Sequence, residues 1–190
     1  DVVKLSEGSG GKEMHRLISE IAGYLNQGKW KHTDEDSASL TINDKNLLFT
    51  TDSYVVTPLF FPGGNIGKIA FCGTVNDLSM MGAKPLGISL GLIIEEGFSK
   101  DDLLTIIKTI GELSKVTGIP VVTGDTKVME KGSVDKIIIN TSGVGMADFI
   151  LDKPLRAGDK IIVSGGIGEH GTALLAKRFE LETSIETDSR

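Results

Sequence analysis

A single cysteine among 190 residues leaves no internal disulfide to form. That composition suits a reducing compartment, and a cytoplasmic location is the expectation. Aromatics are sparse at 5%, with one Trp and two Tyr, and 26 acidic residues outnumber 20 basic ones for a net charge of −6. Without a basic patch the chain is poorly equipped to grip a polyanion, which argues against nucleic-acid or membrane-surface binding. Long hydrophobic runs are missing too. Leu86–Ile94 is interrupted by Gly87, Ser89 and Gly91 and falls far short of the roughly 20 residues that cross a bilayer. The opening Asp1-Val-Val-Lys has neither a basic segment nor an apolar one after it, so no secretory signal is expected. With no initiator Met, Asp1 is read as a processing or expression boundary.

Glycine, by contrast, is abundant. It supplies 24 residues, about one in eight against roughly 7% on average, placed singly or in short clusters between apolar runs as in a chain of many tight turns. Met14, Leu17, Ile18, Ile21, Ala22 and Leu25 recur at helical steps behind Gly8-Ser-Gly-Gly-Lys12. Ser39–Ile42 and Leu47–Thr51 read as strands of a hairpin around Asn43-Asp-Lys-Asn46. Phe61-Pro-Gly-Gly-Asn65 precedes a helix from Ile66 to about Met81, and Leu86–Ile94 reads as a strand. Ser99 caps a third helix ended by Gly118. Ile119–Thr123 and Lys136–Met146 follow as strands. Strand–helix alternation is imperfect, so the expected class is α+β, with a mixed or antiparallel sheet covered on one face by helices. Residues 1–149 form one expected domain. The turn-rich Leu151–Asp159 then leads to an incomplete second α+β unit, 150–190, with a strand at Lys160–Ser164 and a helix at about Thr172–Leu181.

Four carboxylates share a setting at the edge of an apolar element: Asp36 before the first strand, Asp52 after Leu47–Phe49, Asp77 within an apolar helix, and Asp125 at the end of Ile119–Thr123. Burying such groups is costly without positive compensation. A Mg²⁺ ion held by carboxylates and a phosphate ligand is one compensator; an N-cap or turn role is the other reading of each. Asp77 fits a cap least, because it sits mid-helix beside Asn76. Gly8-Ser-Gly-Gly-Lys12 is either a phosphate cradle, with Lys12 as a cationic ligand, or a flexible turn; its spacing does not match GxxxxGK[ST]. Cys72 lies in an apolar helix and reads as a packed thiol. His15, His32 and His170 are too scattered for a zinc site.

In their order these motifs resemble the AIR-synthase-like (PurM-like) family of ATP-using proteins. The matching segments are Gly8–Lys12, Glu35-Asp36-Ser37-Ala38, Thr51-Asp52, Val75-Asn-Asp-Leu-Ser-Met-Met-Gly-Ala-Lys-Pro85 and the turn Gly124-Asp125-Thr126. The longer strings Phe49–Gly64, Val122–Val128 and Val163–Gly171 are similar to the hydrogenase expression/formation (HypE) branch of that family. The resemblance implies a PurM-like domain whose sheet pairs with a second copy's in a barrel-like homodimer. It also implies that Asp36, Asp52, Asp77 and Asp125 hold Mg²⁺ on ATP, that Gly8, Gly10 and Gly11 close over the nucleotide, and that Asn76 and Thr126 touch nucleotide or metal water. Lys12 is added on electrostatic grounds.

The implied reaction is ATP-dependent dehydration of a thiocarboxamide, carried on a C-terminal cysteine, to a thiocyanate that supplies cyanide to nickel-iron hydrogenases. The implied partners are the carbamoyltransferase HypF and the HypC–HypD complex. No such cysteine closes these 190 residues, so the chain reads as the ATP-binding and dimerising portion of a longer protein, with its catalytic residues unassigned. The competing readings are another enzyme of the family (selenophosphate synthetase, thiamine-monophosphate kinase or AIR synthase) and a non-catalytic dimerisation or docking module.

Overall fold

A computed structural model describes residues 2–163 and 165–189. After a 3₁₀ turn at Leu5–Gly8 come α1 (Gly11–Ala22), β1 (Ala38–Ile42), β2 (Lys45–Tyr54), β3 (Phe60–Phe61), β4 (Gly64–Asn65) and α2 (Ile66–Met80). Then follow β5 (Lys84–Glu95), α3 (Lys100–Thr117), β6 (Val121–Met129), β7 (Ile137–Ala147) and α4 (Glu169–Arg178). Local chemistry sets the helix ends. The Asn65 side chain accepts from the amides of Gly67 and Lys68 to start α2, Ser99 Oγ accepts from Asp102 N at 3.2 Å to start α3, and Gly118, in the left-handed region at φ +71°, ends α3.

Five strands form one sheet in the order β1-β2-β7-β5-β6. All neighbours are antiparallel except β5 and β6, so the sheet is mixed and the α+β expectation holds. Side-chain alternation gives the sheet two unlike faces. One is covered by α2 and α3 over three apolar clusters: Ile66, Ala70, Ile106 and Ile139 with their neighbours; Leu48, Leu78 and Met81; and Phe71, Cys72, Ile88 and Ile110. Gly143 of β7 lets α2 lie close, since a Cβ there would stand 2.8 Å from Thr74 Cγ2 and 2.9 Å from Leu78 Cδ1. The other face carries Phe49, Thr51, Ser53, Asn140, Ser142, Val144 and Ser89, by their register with the covered positions. Trp30 packs edge-on against Phe49, with ring centroids 6.3 Å apart.

Several sequence expectations change. The Gly-Asp-Thr segment at 124–126 is not a turn but the middle of β6. Gly124 is needed there because a Cβ would run into the Leu90 carbonyl of the adjacent strand. The Pro62-Gly63 break is flanked by the two-residue strands β3 and β4. Gly11 and Lys12 belong to the first turn of α1 rather than to a loop ahead of it. The strand expected at Lys160–Ser164 is not formed over 160–163, and Ser164, like Asp1, lies outside the described residues. Helix α4 begins three residues earlier than expected.

The carboxy-terminal segment packs back against the residues around β3 and β4. Arg178 Nη2 donates to Thr57 O at 2.7 Å, Thr187 N donates to Pro62 O at 2.9 Å, and His170 packs edge-on against Phe61. Residues 148–163 contain no helix or strand. Ser39 Oγ and Asp152 Oδ2 flank the His32 ring at 2.7 Å and 3.3 Å. With Ser39 buried in β1, this trio ties β1 to the linker instead of presenting a nucleophile.

Candidate functional site

The site starts from β2. Leu48, Thr50, Asp52 and Tyr54 alternate onto the helix-covered face of the sheet, above α2. Thr74 and Asp77 stand three residues apart on α2 and so share one side of it. Thr50 Oγ1 lies 2.9 Å from the Asp36 carbonyl and 3.3 Å from Asp77 Oδ2, so one hydroxyl links the loop before β1 to α2. Asp52 Oδ1 accepts the Ser53 amide at 2.9 Å. Beneath them Thr74 Oγ1 and Thr141 Oγ1 are 2.5 Å apart, and Thr141 reaches the Ala70 carbonyl at 3.2 Å.

Charge at this corner is uniformly negative. Burial, then the charges of Asp36 and Asp52, push the Asp77 carboxyl up to about 6, with the Thr50 hydrogen bond opposing. Burial also raises the Tyr54 phenol; the Thr74 hydroxyl opposes this, and the nearby Asp52 and Asp77 charges add to it. Among the described residues no Lys, Arg or His forms an ion pair with Asp36, Asp52 or Asp77. The hydroxyls of Ser37 and Tyr54 are buried with no hydrogen-bond partner among the described residues. Oxygen donors, excess negative charge and unspent hydrogen-bonding capacity fit a hard divalent cation. Among the described residues no three carboxylate, imidazole or thiol groups are placed to enclose an ion by themselves, so an ion here would need phosphate oxygens and water to complete its shell.

The other expected site residues lie elsewhere. Asn76 is exposed on α2. Asp125 is exposed on β6 and pairs with Lys127 at 3.3 Å. Across the sheet Ser53, Asn140, Gly91 and Asp125 stand in one row, so Asp125 is three strand spacings, about 14 Å, from β2 and on the face opposite Asp52. Thr126, the next residue, points to the helix side by the same alternation. Gly8, Gly10, Gly11 and Lys12 are exposed, and nothing lies within 4 Å of a Cβ placed on those three glycines. Within this chain the structure therefore gathers Asp36, Asp52 and Asp77, and not Asp125, Thr126 or the glycine segment. Thr50, Tyr54 and Thr74 were missed in the sequence, although the two-residue step through Asp52 and the three-residue step to Asp77 carry them.

Residues 34–147 match the N-terminal domain of AIR synthase related protein, and the chain belongs to that family. Within the family it is similar to HypE proteins. It is 45% identical to the carbamoyl dehydratase HypE of Rhizobium leguminosarum bv. viciae, the match covering 98% of this chain and 55% of that protein. A crystal structure of a HypE–HypF complex superposes with a TM-score of 0.77 at 45% identity, over 90% of this chain and 57% of the other. A structure of the hydrogenase maturation protein HypE in complex with ATP gives 0.66 at 40% identity, over 99% and 57%. The chain thus spans little more than half the length of these relatives.

Proposed function

We propose that this chain is the ATP-binding portion of a hydrogenase-maturation carbamoyl dehydratase. The observation that carries the proposal is the meeting of Asp36, Asp52 and Asp77 at one corner, with Asp77 pushed up to about 6 and, among the described residues, no cationic side chain paired to any of them. Residues 1–149 would form the nucleotide-binding and dimerising domain, and 150–190 the start of the domain that completes the reaction in the cytoplasm. The relative solved with ATP supports the nucleotide, and the relative solved with HypF supports that carbamoyltransferase as a partner. The HypC–HypD complex is the proposed acceptor of the product.

Asp36, Asp52 and Asp77 would hold Mg²⁺, with Thr50 fixing Asp77 against the Asp36 loop. An ion held there would supply charge neutralisation for the transferring phosphoryl group. The amide oxygen of the thiocarboxamide attacks the γ-phosphorus and ADP leaves. Loss of the nitrogen protons and expulsion of phosphate then turn C(=O)NH₂ into C≡N. Within the chain, β2 and α2 supply rigid placement of Asp52 and Asp77. Cys72 is not a candidate for the reacting thiol, since it is buried and burial raises its pKa. Asp125 would join the nucleotide only through a second copy of the chain or the remainder of the protein, because it faces away from Asp52; Thr126, Asn76 and the Gly8, Gly10, Gly11, Lys12 segment would reach it from outside the acidic corner.

Calorimetric titration with Mg-ATP tests the assignment. The 190-residue chain is expected to bind Mg-ATP, and Asp52→Asn and Asp77→Asn are each expected to weaken binding at least about tenfold. A folded chain that ignores Mg-ATP, or binds it equally well in both variants, would overturn the proposal.

A further inference from the structure

Tyr54 joins the core to the acidic corner. Its ring packs against the cluster that includes Leu59, Ile66 and Ile139, while its hydroxyl is buried without a hydrogen-bond partner among the described residues. Helix α2 makes room for that oxygen at Gly73, where any Cβ would overlap it. The polar side chains next to it by placement are Asp52, two residues back on the same face of β2, and Thr74, adjacent to Gly73 on α2. Thr74 is already engaged with Thr141. Asp52 uses Oδ1 for the Ser53 amide, which leaves its other oxygen open to a donor.

We infer that Tyr54 is a positioning residue whose hydroxyl donates to Asp52 and fixes the orientation in which that carboxylate meets a divalent cation. The inference rests on Asp52 being a cation ligand, as proposed above. A carboxylate held only by its neighbour's amide can swing about its last torsion; a second donor anchored in the core removes that freedom. Partners of this kind, one step behind the metal ligands, are worth about 10- to 100-fold in metal affinity. A helical glycine facing a tyrosine oxygen has the same logic, because close packing by any larger residue would move the donor.

The test is Mn²⁺-ATP binding to the 190-residue chain, read by the enhancement of water-proton relaxation from protein-bound Mn²⁺. In Tyr54→Phe the ring and its packing remain, so the thermal midpoint should stay within a few degrees while the Mn²⁺-ATP dissociation constant rises about tenfold. In an Asp52→Asn background the same change should add nothing, since the hydroxyl acts through Asp52. Gly73→Ala, which displaces the hydroxyl from the helix side, should reproduce the loss if Tyr54→Phe proves too unstable to measure. Unchanged affinity in Tyr54→Phe, or an equal further loss in the Asp52→Asn background, overturns the positioning role and leaves the cation site standing. A parent chain that binds no Mn²⁺-ATP overturns both.

Discussion

At Asp77 four effects act on one carboxyl group: burial and two neighbouring carboxylates push its pKa up to about 6, and the Thr50 hydroxyl pulls it down. An unfolded Asp titrates near 4, so the folded protein binds this proton more tightly. The stability it contributes is fully present below about pH 4 and is lost as pH rises through 6. Asp77→Asn should therefore flatten the dependence of the thermal midpoint on pH between 4 and 6 and raise the midpoint at pH 8 in the presence of EDTA. Cation binding has the opposite sign, because a ligand must be ionised. Mg²⁺ affinity should fall by up to tenfold per pH unit below 6 in the parent chain, which calorimetry at pH 5, 6 and 7 would measure.

Helix α2 carries Thr74 and Asp77, and its placement depends on two contacts at its ends and middle. Asn65 caps it and also donates to Thr109 Oγ1 of α3 at 2.9 Å. Asn65→Ala should cost about 1–2 kcal/mol in urea unfolding, the loss of the cap and of its link to α3. Gly143→Ala should cost about 1–3 kcal/mol by pressing Thr74 and Leu78 off the sheet. These helices were legible in the sequence because periodic apolar residues, Asn65 or Ser99 ahead, and Gly118 behind all agree. Residues 124–126 were not legible as strand, since Gly-Asp-Thr has turn chemistry and only the approach of the Leu90 carbonyl explains the glycine. The acidic corner was legible as a set of carboxylates at apolar edges. That Asp125 stands on the opposite face was not, because strand order and register are set by pairings such as Thr51 with Ser142, about ninety positions apart in the chain.

On the scale of the whole molecule, the sheet has one covered face and one open face. The open face mixes a polar belt, in which Ser142 Oγ donates to Thr51 Oγ1 at 2.9 Å and Asn140 Nδ2 to Ser53 Oγ at 2.9 Å, with flanking Phe49 and Val144, which pair across β2 and β7. If the proposed homodimer uses this face, a charge at its apolar flank is incompatible with closure. Val144→Arg should shift sedimentation from dimer to monomer at micromolar concentration and leave the circular dichroism spectrum unchanged; a parent chain that sediments as a monomer would place the dimer interface elsewhere. Trp30, the only tryptophan in the sequence, rests its ring against Phe49 on this face. Its ultraviolet emission is therefore an intrinsic optical reporter of whatever covers the sheet, and a dilution series of the unlabelled chain can follow that covering by the colour of one indole.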